Sequence, residues 1–200
     1  MSTLISFVGA PGVGKTTAAT ALKDRLEQEG KQVGYSQEYA RDFIGLYGHP
    51  EHSAIQLHIM RQQKAWEESA FYGNDFAVTD TAVWYSYVFP DIYNRPGASE
   101  QEIHILNDLG RQVVNWIPSY HYTFYLPVRD DIEDDGLRDP TQSDRIDHHM
   151  RGFIELHKHR FAHIDFLPEG LTVPETVDFA LSQLITDRLL ETAETPLCAI

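Results

Sequence analysis

Hydrophobic and polar positions along the chain alternate between two periods. Leu4 to Val8 is a short apolar run that stops at Gly9, the pattern of a central, buried parallel strand. From Lys15 to Glu29 the period is helical: Ala18, Ala19, Leu22 and Leu26 share one face, and Gly30 is the stop. Lys31 to Ser36 reads as a weaker second strand, Glu38 to Tyr47 as a short helix before Gly48-His49-Pro50, and Ser53 to Tyr72 as a longer helix ended by Gly73-Asn74. Phe76 to Thr79 is a third strand that stops at Asp80. Ser99-x-x-Glu102 is a capping box opening a helix with Ile103, Leu106, Leu109 and Val113 on its apolar face, and Pro118 closes it. Tyr122 to Leu126 is a fourth strand, and Ile164 to Leu167 a fifth. Between them, Arg129 to Asp147 is polar and acid-rich and is expected to be a mobile loop or lid, followed by a helical stretch from Asp147 to Ala162. Thr172-x-x-Glu175, with Pro174 in the first turn, opens a last helix lined by Val177, Leu181, Leu184 and Ile185. Strands alternating with helices predict an α/β domain over residues 1–190 with a mainly parallel sheet, and residues 191–200 read as a tail.

The chemistry concentrates where the first strand meets the first helix. Gly9-Ala10-Pro11-Gly12-Val13-Gly14-Lys15-Thr16 matches G-x-x-x-x-G-K-[ST], the P-loop. Glycines let the backbone curl until several N–H groups point at one anion, and the helix N-terminus adds partial positive charge there. Lys15 is suited to β- and γ-phosphates and the Thr16 hydroxyl to Mg²⁺; residues Gly9 to Thr17 form the predicted nucleotide cradle. Phe76-Ala77-Val78-Thr79-Asp80 supplies a second acidic position at a strand end, able to hold a metal-bound water or to take a proton from a substrate hydroxyl.

Composition narrows the class. The chain has 200 residues, 42% of them hydrophobic and 23% charged, which fits one folded domain and excludes a disordered chain. The formal net charge of -14 disfavours nonspecific binding to DNA or to an anionic membrane. One cysteine, Cys198, excludes an internal disulfide framework and a cysteine-rich zinc site. No apolar run has the length of a membrane span, and the first residues lack a basic signal start, so the expected compartment is the cytoplasm. His148, His149, His157, His159 and His163 crowd one segment, with His159 and His163 at i,i+4, and are expected to lie on a surface helix rather than to bind metal.

Among P-loop proteins, a GTPase would carry Asn-Lys-x-Asp, which does not occur; Asp42-Phe43-Ile44-Gly45 falls in a helix-like stretch and is read as chance. A ring ATPase of the AAA+ kind needs a second helical domain that 200 residues do not accommodate, whereas a small kinase needs only the core, a substrate helix pair and an arginine lid.

Four segments in order then carry a resemblance: the P-loop, Gln37-Glu38-Tyr39-Ala40-Arg41, Val78-Thr79-Asp80-Thr81, and Asp134-Asp135-Gly136-Leu137-Arg138 with Asp144-Arg145. Over roughly residues 3–165 the chain resembles the P-loop kinase-like family that includes the ribosylnicotinamide kinase domain of NadR-type proteins. The resemblance implies a nucleoside- and nucleotide-kinase fold with strand order 2-3-1-4-5, ATP and Mg²⁺ as cofactors, and transfer of the γ-phosphoryl group to a hydroxyl. In that setting Glu38 or Asp80 is the candidate base and Arg41 the substrate clamp, with Arg138 and Arg145 carried by the lid (about 129–147) onto the phosphates. Trp84 is the candidate stacking partner for an acceptor base, the nearest to Asp80 of the aromatic cluster Trp84, Tyr85, Tyr87, Phe89 and Tyr93. Arg129 and Arg151 are secondary candidates. The expected acceptor is a free nucleoside of the nicotinamide riboside kind. Similar stand-alone proteins include phage-type kinases that act on modified nucleosides such as 5-hydroxymethyluridine within DNA, which makes DNA an alternative substrate, acted on in a host cytoplasm. A regulatory ATP-binding switch without phosphoryl transfer is the third reading.

Overall fold

A computed structural model describes residues 2–128, 142–187 and 189–190. The chain runs β1 (Thr3–Val8), α1 (Lys15–Gln28), β2 (Val33–Ser36), α2 (Tyr39–Tyr47), α3 (Ser53–Phe71), β3 (Phe76–Thr79), α4 (Tyr85–Tyr93), α5 (Glu100–Trp116), β4 (Tyr122–Tyr125), α6 (Ser143–His157), β5 (Ile164–Phe166) and α7 (Val173–Thr186). Among the described residues all strand pairings are parallel and the order is β2-β3-β1-β4-β5, the order that the resemblance implies.

The alternation within β1 explains why it is central. Leu4 and Val8 face one layer, with Trp84, Leu109, Tyr120 and Met150; Ile5 and Phe7 face the other, with Ala19, Leu22, Phe124 and Leu181. A strand covered on both faces has to be apolar on both. Ser6, the polar residue in its middle, donates to Thr123 Oγ1 at 3.0 Å and so stays satisfied inside the sheet. Helices α1 and α7 cover one face, and α3, α4, α5 and α6 supply the opposite layer. Both predicted capping boxes form: Ser99 Oγ accepts from Glu102 N–H, and Thr172 Oγ1 from Glu175 N–H, while each glutamate returns to the cap residue.

Registry brings the chemistry to one edge. Thr79 pairs with Ser6 on one side and Ser36 on the other, so the chain leaves β1, β2 and β3 toward the same side of the sheet. The P-loop, Gln37-Glu38 and Asp80-Thr81 follow those three exits.

Two helices differ from the sequence pattern. Tyr85–Tyr93 is a helix although Pro90 lies inside it; its aromatic run hides the period. Helix α6 begins at Ser143, so Ser143 to Asp147 is helix and not loop, because Ile146, Met150, Phe153 and Ile154 already follow a helical face buried in the core. It ends at His157, followed by a short 3-10 turn over Lys158–Arg160. His159 and His163 therefore do not share a helix, and among the described residues no group of three or more His, Cys, Asp or Glu side chains is arranged to hold a metal. No described helix is long and apolar enough to cross a membrane.

Candidate active site

The P-loop is shaped by where its glycines lie. Gly9 has φ of +147°, and a Cβ there would stand 2.4 Å from the Leu126 carbonyl oxygen. The backbone turns against the end of β4, and any side chain would push the two apart. Gly14, at φ +93°, is the residue before α1 in the left-handed region, which directs the next amides along the helix axis. Lys15 is buried at 6% exposure, with Nζ donating to the carbonyls of Gly9 (3.0 Å) and Ala10 (2.9 Å) and standing 5.3 Å over the Tyr85 ring. The ammonium is thereby held across the loop it serves.

Thr16 and Asp80 meet. Thr16 Oγ1 donates to Asp80 Oδ2 at 2.7 Å, and Tyr35 OH donates to the same oxygen at 3.1 Å. Burial, with the neighbouring Asp80 charge, pushes the Tyr35 phenol up to about 12, so it remains a donor. The second oxygen, Asp80 Oδ1, is buried without a hydrogen-bond partner among the described residues. A buried carboxylate oxygen left without a donor, beside a threonine hydroxyl on a P-loop, fits a hard divalent cation. Tyr35 was not among the sequence candidates; a strand tyrosine one residue before the strand end carries no motif.

Two cavities flank the P-loop. The first, of about 820 Å³, reaches from Pro11 and Thr81 to Glu38 and Arg41, and is walled by α3 (Gln56, Ile59, Gln63), α4 (Tyr85, Phe89, Tyr93) and α6 (Arg145, Ile146). The second, of about 550 Å³, is formed by Val13, Gly14 and Ala18 against Leu126 to Val128 and the turn from Leu167 to Val173. Its walls are mostly apolar side chains and backbone.

The predicted site residues divide on these surfaces. Glu38 and Arg41 line the first cavity and Lys15, Thr16 and Asp80 lie at the P-loop. Arg145 also lines the first cavity, but from the first turn of α6, with its guanidinium 5.5 Å from the Tyr93 ring centre. Arg138 and Arg129 lie outside the described residues, as does the lid from residue 129 to residue 141. Arg151 is engaged elsewhere: Nε donates to Asp147 Oδ2 at 2.7 Å, and the group covers the Tyr125 ring at 4.8 Å.

Trp84 has to be corrected. It is fully buried, stacked on Phe153 at 5.2 Å and 7°, with Phe161 edge-on, and does not line the cavity. Proximity to Asp80 in sequence was the wrong guide, because Trp84, the cap residue just before α4, turns into the core. Tyr85, Phe89 and Tyr93 take the cavity side instead. Their i, i+4, i+8 spacing marks a single helix face and was the signal that could have selected them. Gln56 and Gln63 were missed for a different reason: polar positions on a long helix look like solvent positions until the cavity is seen.

Comparisons with known proteins agree with this architecture. A family model described as an AAA domain matches residues 4–167, from β1 to just past β5. No curated protein sequence matches the chain. Among solved structures, NadR protein in complex with NR superposes with a TM-score of 0.70 at 17% identity, covering 91% of this chain and 51% of that one. NadR protein in complex with NAD and AMP-PNP gives 0.70 at 14% identity, over 96% and 51%. The chain thus spans about half the length of those NadR chains. Deoxyadenosine kinase from M. mycoides with bound dATP gives 0.63 at 12% identity, over 92% of this chain and 99% of that one. The model match covers most of the sequence, and the P-loop, strand order and superpositions accord with it: the chain belongs to this AAA domain family and has the P-loop fold found in NadR and in deoxyadenosine kinase.

Proposed function

We propose that the protein is a kinase that transfers the γ-phosphoryl group of ATP, with Mg²⁺, to a hydroxyl of a nucleoside-type acceptor. One observation carries this: the phosphate cradle stands between two cavities, so a nucleotide whose base occupies one cavity directs its terminal phosphate toward the other. The solved relatives on this fold include a NadR protein complexed with NR and a deoxyadenosine kinase, which favours a nucleoside in the larger cavity.

The adenine base would rest in the second cavity between Val13 and the turn after β5. The amides of the loop from Gly9 to Thr17 would take the phosphates, Pro11 alone lacking an N–H to give. Thr16 and Asp80 would hold Mg²⁺, which when bound neutralises charge on the phosphate oxygens. Glu38 faces the acceptor cavity and Asp80 does not, so Glu38 is the base in this reading. It takes the acceptor hydroxyl proton as the new oxygen–phosphorus bond forms and the bond to the β–γ bridging oxygen breaks, leaving ADP. Arg41, Arg145 and Arg138 steady the charge that moves. Tyr85, Phe89 and Tyr93 present ring surface to the acceptor base.

The test is incubation with γ-labelled ATP and pooled nucleosides, nucleotides and modified DNA. Label on a free nucleoside is expected. Label on DNA alone would replace the acceptor, and release of inorganic phosphate at a rate indifferent to every acceptor would replace the kinase reading.

A further inference from the structure

Glu67, on α3, is completely buried, and three donors converge on it. Trp116 Nε1 donates to Oε2 at 2.9 Å, Tyr120 OH to the same oxygen at 2.7 Å, and Gln63 Nε2 to Oε1 at 3.4 Å. The proton positions follow from the neighbours. Val83 N–H donates to the Tyr120 oxygen at 2.7 Å, so the phenol proton is directed to Glu67. Tyr39 N–H donates to Gln63 Oε1 at 2.8 Å, so the Gln63 amide must turn its NH₂ group toward Glu67 and toward Ser36 Oγ, 3.3 Å away. Every partner is a donor, which is the demand of an ionised carboxylate.

The two arms of this network end beside the site. One reaches Tyr39, the first residue of α2, next to Glu38 and two residues before Arg41. The other reaches Val83, three residues after Asp80. We propose that Glu67 is a positioning residue: as a carboxylate it ties the start of α2 to the segment after β3, and taking up a proton releases the α2 arm. Its consequence for catalysis rests on the kinase reading above; its consequence for the backbone does not.

The release follows from donor counting. A proton on Oε1 would face the Gln63 NH₂ group, donor against donor. Turning the amide over relieves that clash but points NH₂ at Tyr39 N–H, which then loses its acceptor. Among the described residues, the groups that reach Glu67 are Gln63 on its own helix, Trp116 on α5, Tyr120 before β4 and the Val83 backbone N–H, which also donates to Tyr120; none carries a charge. The Lys64 ammonium sits against the Trp116 ring, 4.5 Å from its centre. Burial raises the Glu67 carboxyl to about 7 even though its donors favour the ionised form, so the exchange of forms falls near neutrality.

The experiment is amide hydrogen exchange at Tyr39, corrected for intrinsic rate, in the full chain at pH 8 and pH 6, alongside acceptor KM. Protection in the wild type is expected to fall about tenfold at pH 6, the change that about 1.4 kcal/mol produces. Glu67→Gln, which faces Gln63 with an NH₂ group at any pH, should show the low protection at both pH values. The exchanged pair Glu67→Gln with Gln63→Glu should restore it at pH 8, because residue 67 then donates to residue 63 and residue 63 accepts from Tyr39. Acceptor KM should rise wherever protection is low, with ATP KM steady. Equal Tyr39 protection in wild type at the two pH values overturns the proposal and needs no substitution. An acceptor KM that stays fixed while protection falls overturns the positioning role. A wild type that transfers no phosphate but shows the exchange pattern removes the kinase reading and leaves the tie between Glu67 and α2 supported.

Discussion

At the scale of single residues, burial decides what each polar or aromatic side chain can do. Lys15 is buried yet donates to two carbonyls of its own loop, so its removal takes away a positive charge without opening the core. Lys15→Ala is therefore expected to lower phosphoryl transfer by about 10²-fold or more while thermal unfolding changes little. A variant with wild-type turnover would contradict its role. Trp84 and Phe89 give the opposite pair. Trp84→Ala empties a packed site and should cost about 3–5 kcal/mol in denaturant unfolding. Phe89→Ala, on the cavity side of α4, should raise acceptor KM and cost less stability, since Phe89 is only partly buried. The reverse assignment would return Trp84 to the site. The sequence carried the aromatic cluster but not its division, because which residues of a helix face inward depends on the helix phase, and Pro90 obscured that a helix was there at all.

At the scale of elements, local signals that act within a few residues were legible and those that depend on distant packing were not. The strand–glycine–helix succession from Leu4 to Lys15 is local, and so are the Ser99 and Thr172 capping boxes; each appears as expected. Ser99→Ala should destabilise the protein by about 1 kcal/mol without altering acceptor or nucleotide KM, as the cap lies away from both cavities. Denaturant unfolding beside steady-state kinetics checks both parts. The early start of α6 depended on burial of Ile146 against distant elements, and acidic residues nearby made the stretch look like loop. Among the site residues, Glu38, Arg41 and Asp80 could be chosen because they follow strand ends. Tyr35, Gln63 and Glu67 could not, since they act through contacts across 45, 24 and 53 positions of sequence.

At the scale of the whole molecule, the parallel sheet sets three strand exits side by side, and the P-loop between two cavities gives that edge its direction. The buried Glu67 also leaves a mark on global stability. Its carboxyl is raised in the folded protein from 4.5 to about 7, so between those values the folded state keeps a proton that the unfolded chain has released. Stability should then fall as pH rises through that window, by about 3 kcal/mol at 1.36 kcal/mol per unit. Glu67→Gln should flatten this slope in chemical unfolding measured from pH 5 to pH 8, and an unchanged slope would assign it to other groups. In the proposed function this edge holds ATP with a divalent cation through the P-loop and the Thr16–Asp80 pair. Calorimetric titration with a non-hydrolysable ATP analogue tests it most directly. One nucleotide is expected to bind per chain, with affinity that drops when Mg²⁺ is withheld and that loses this dependence in Asp80→Asn. Absence of binding heat, or binding that ignores both the cation and Asp80, would contradict it.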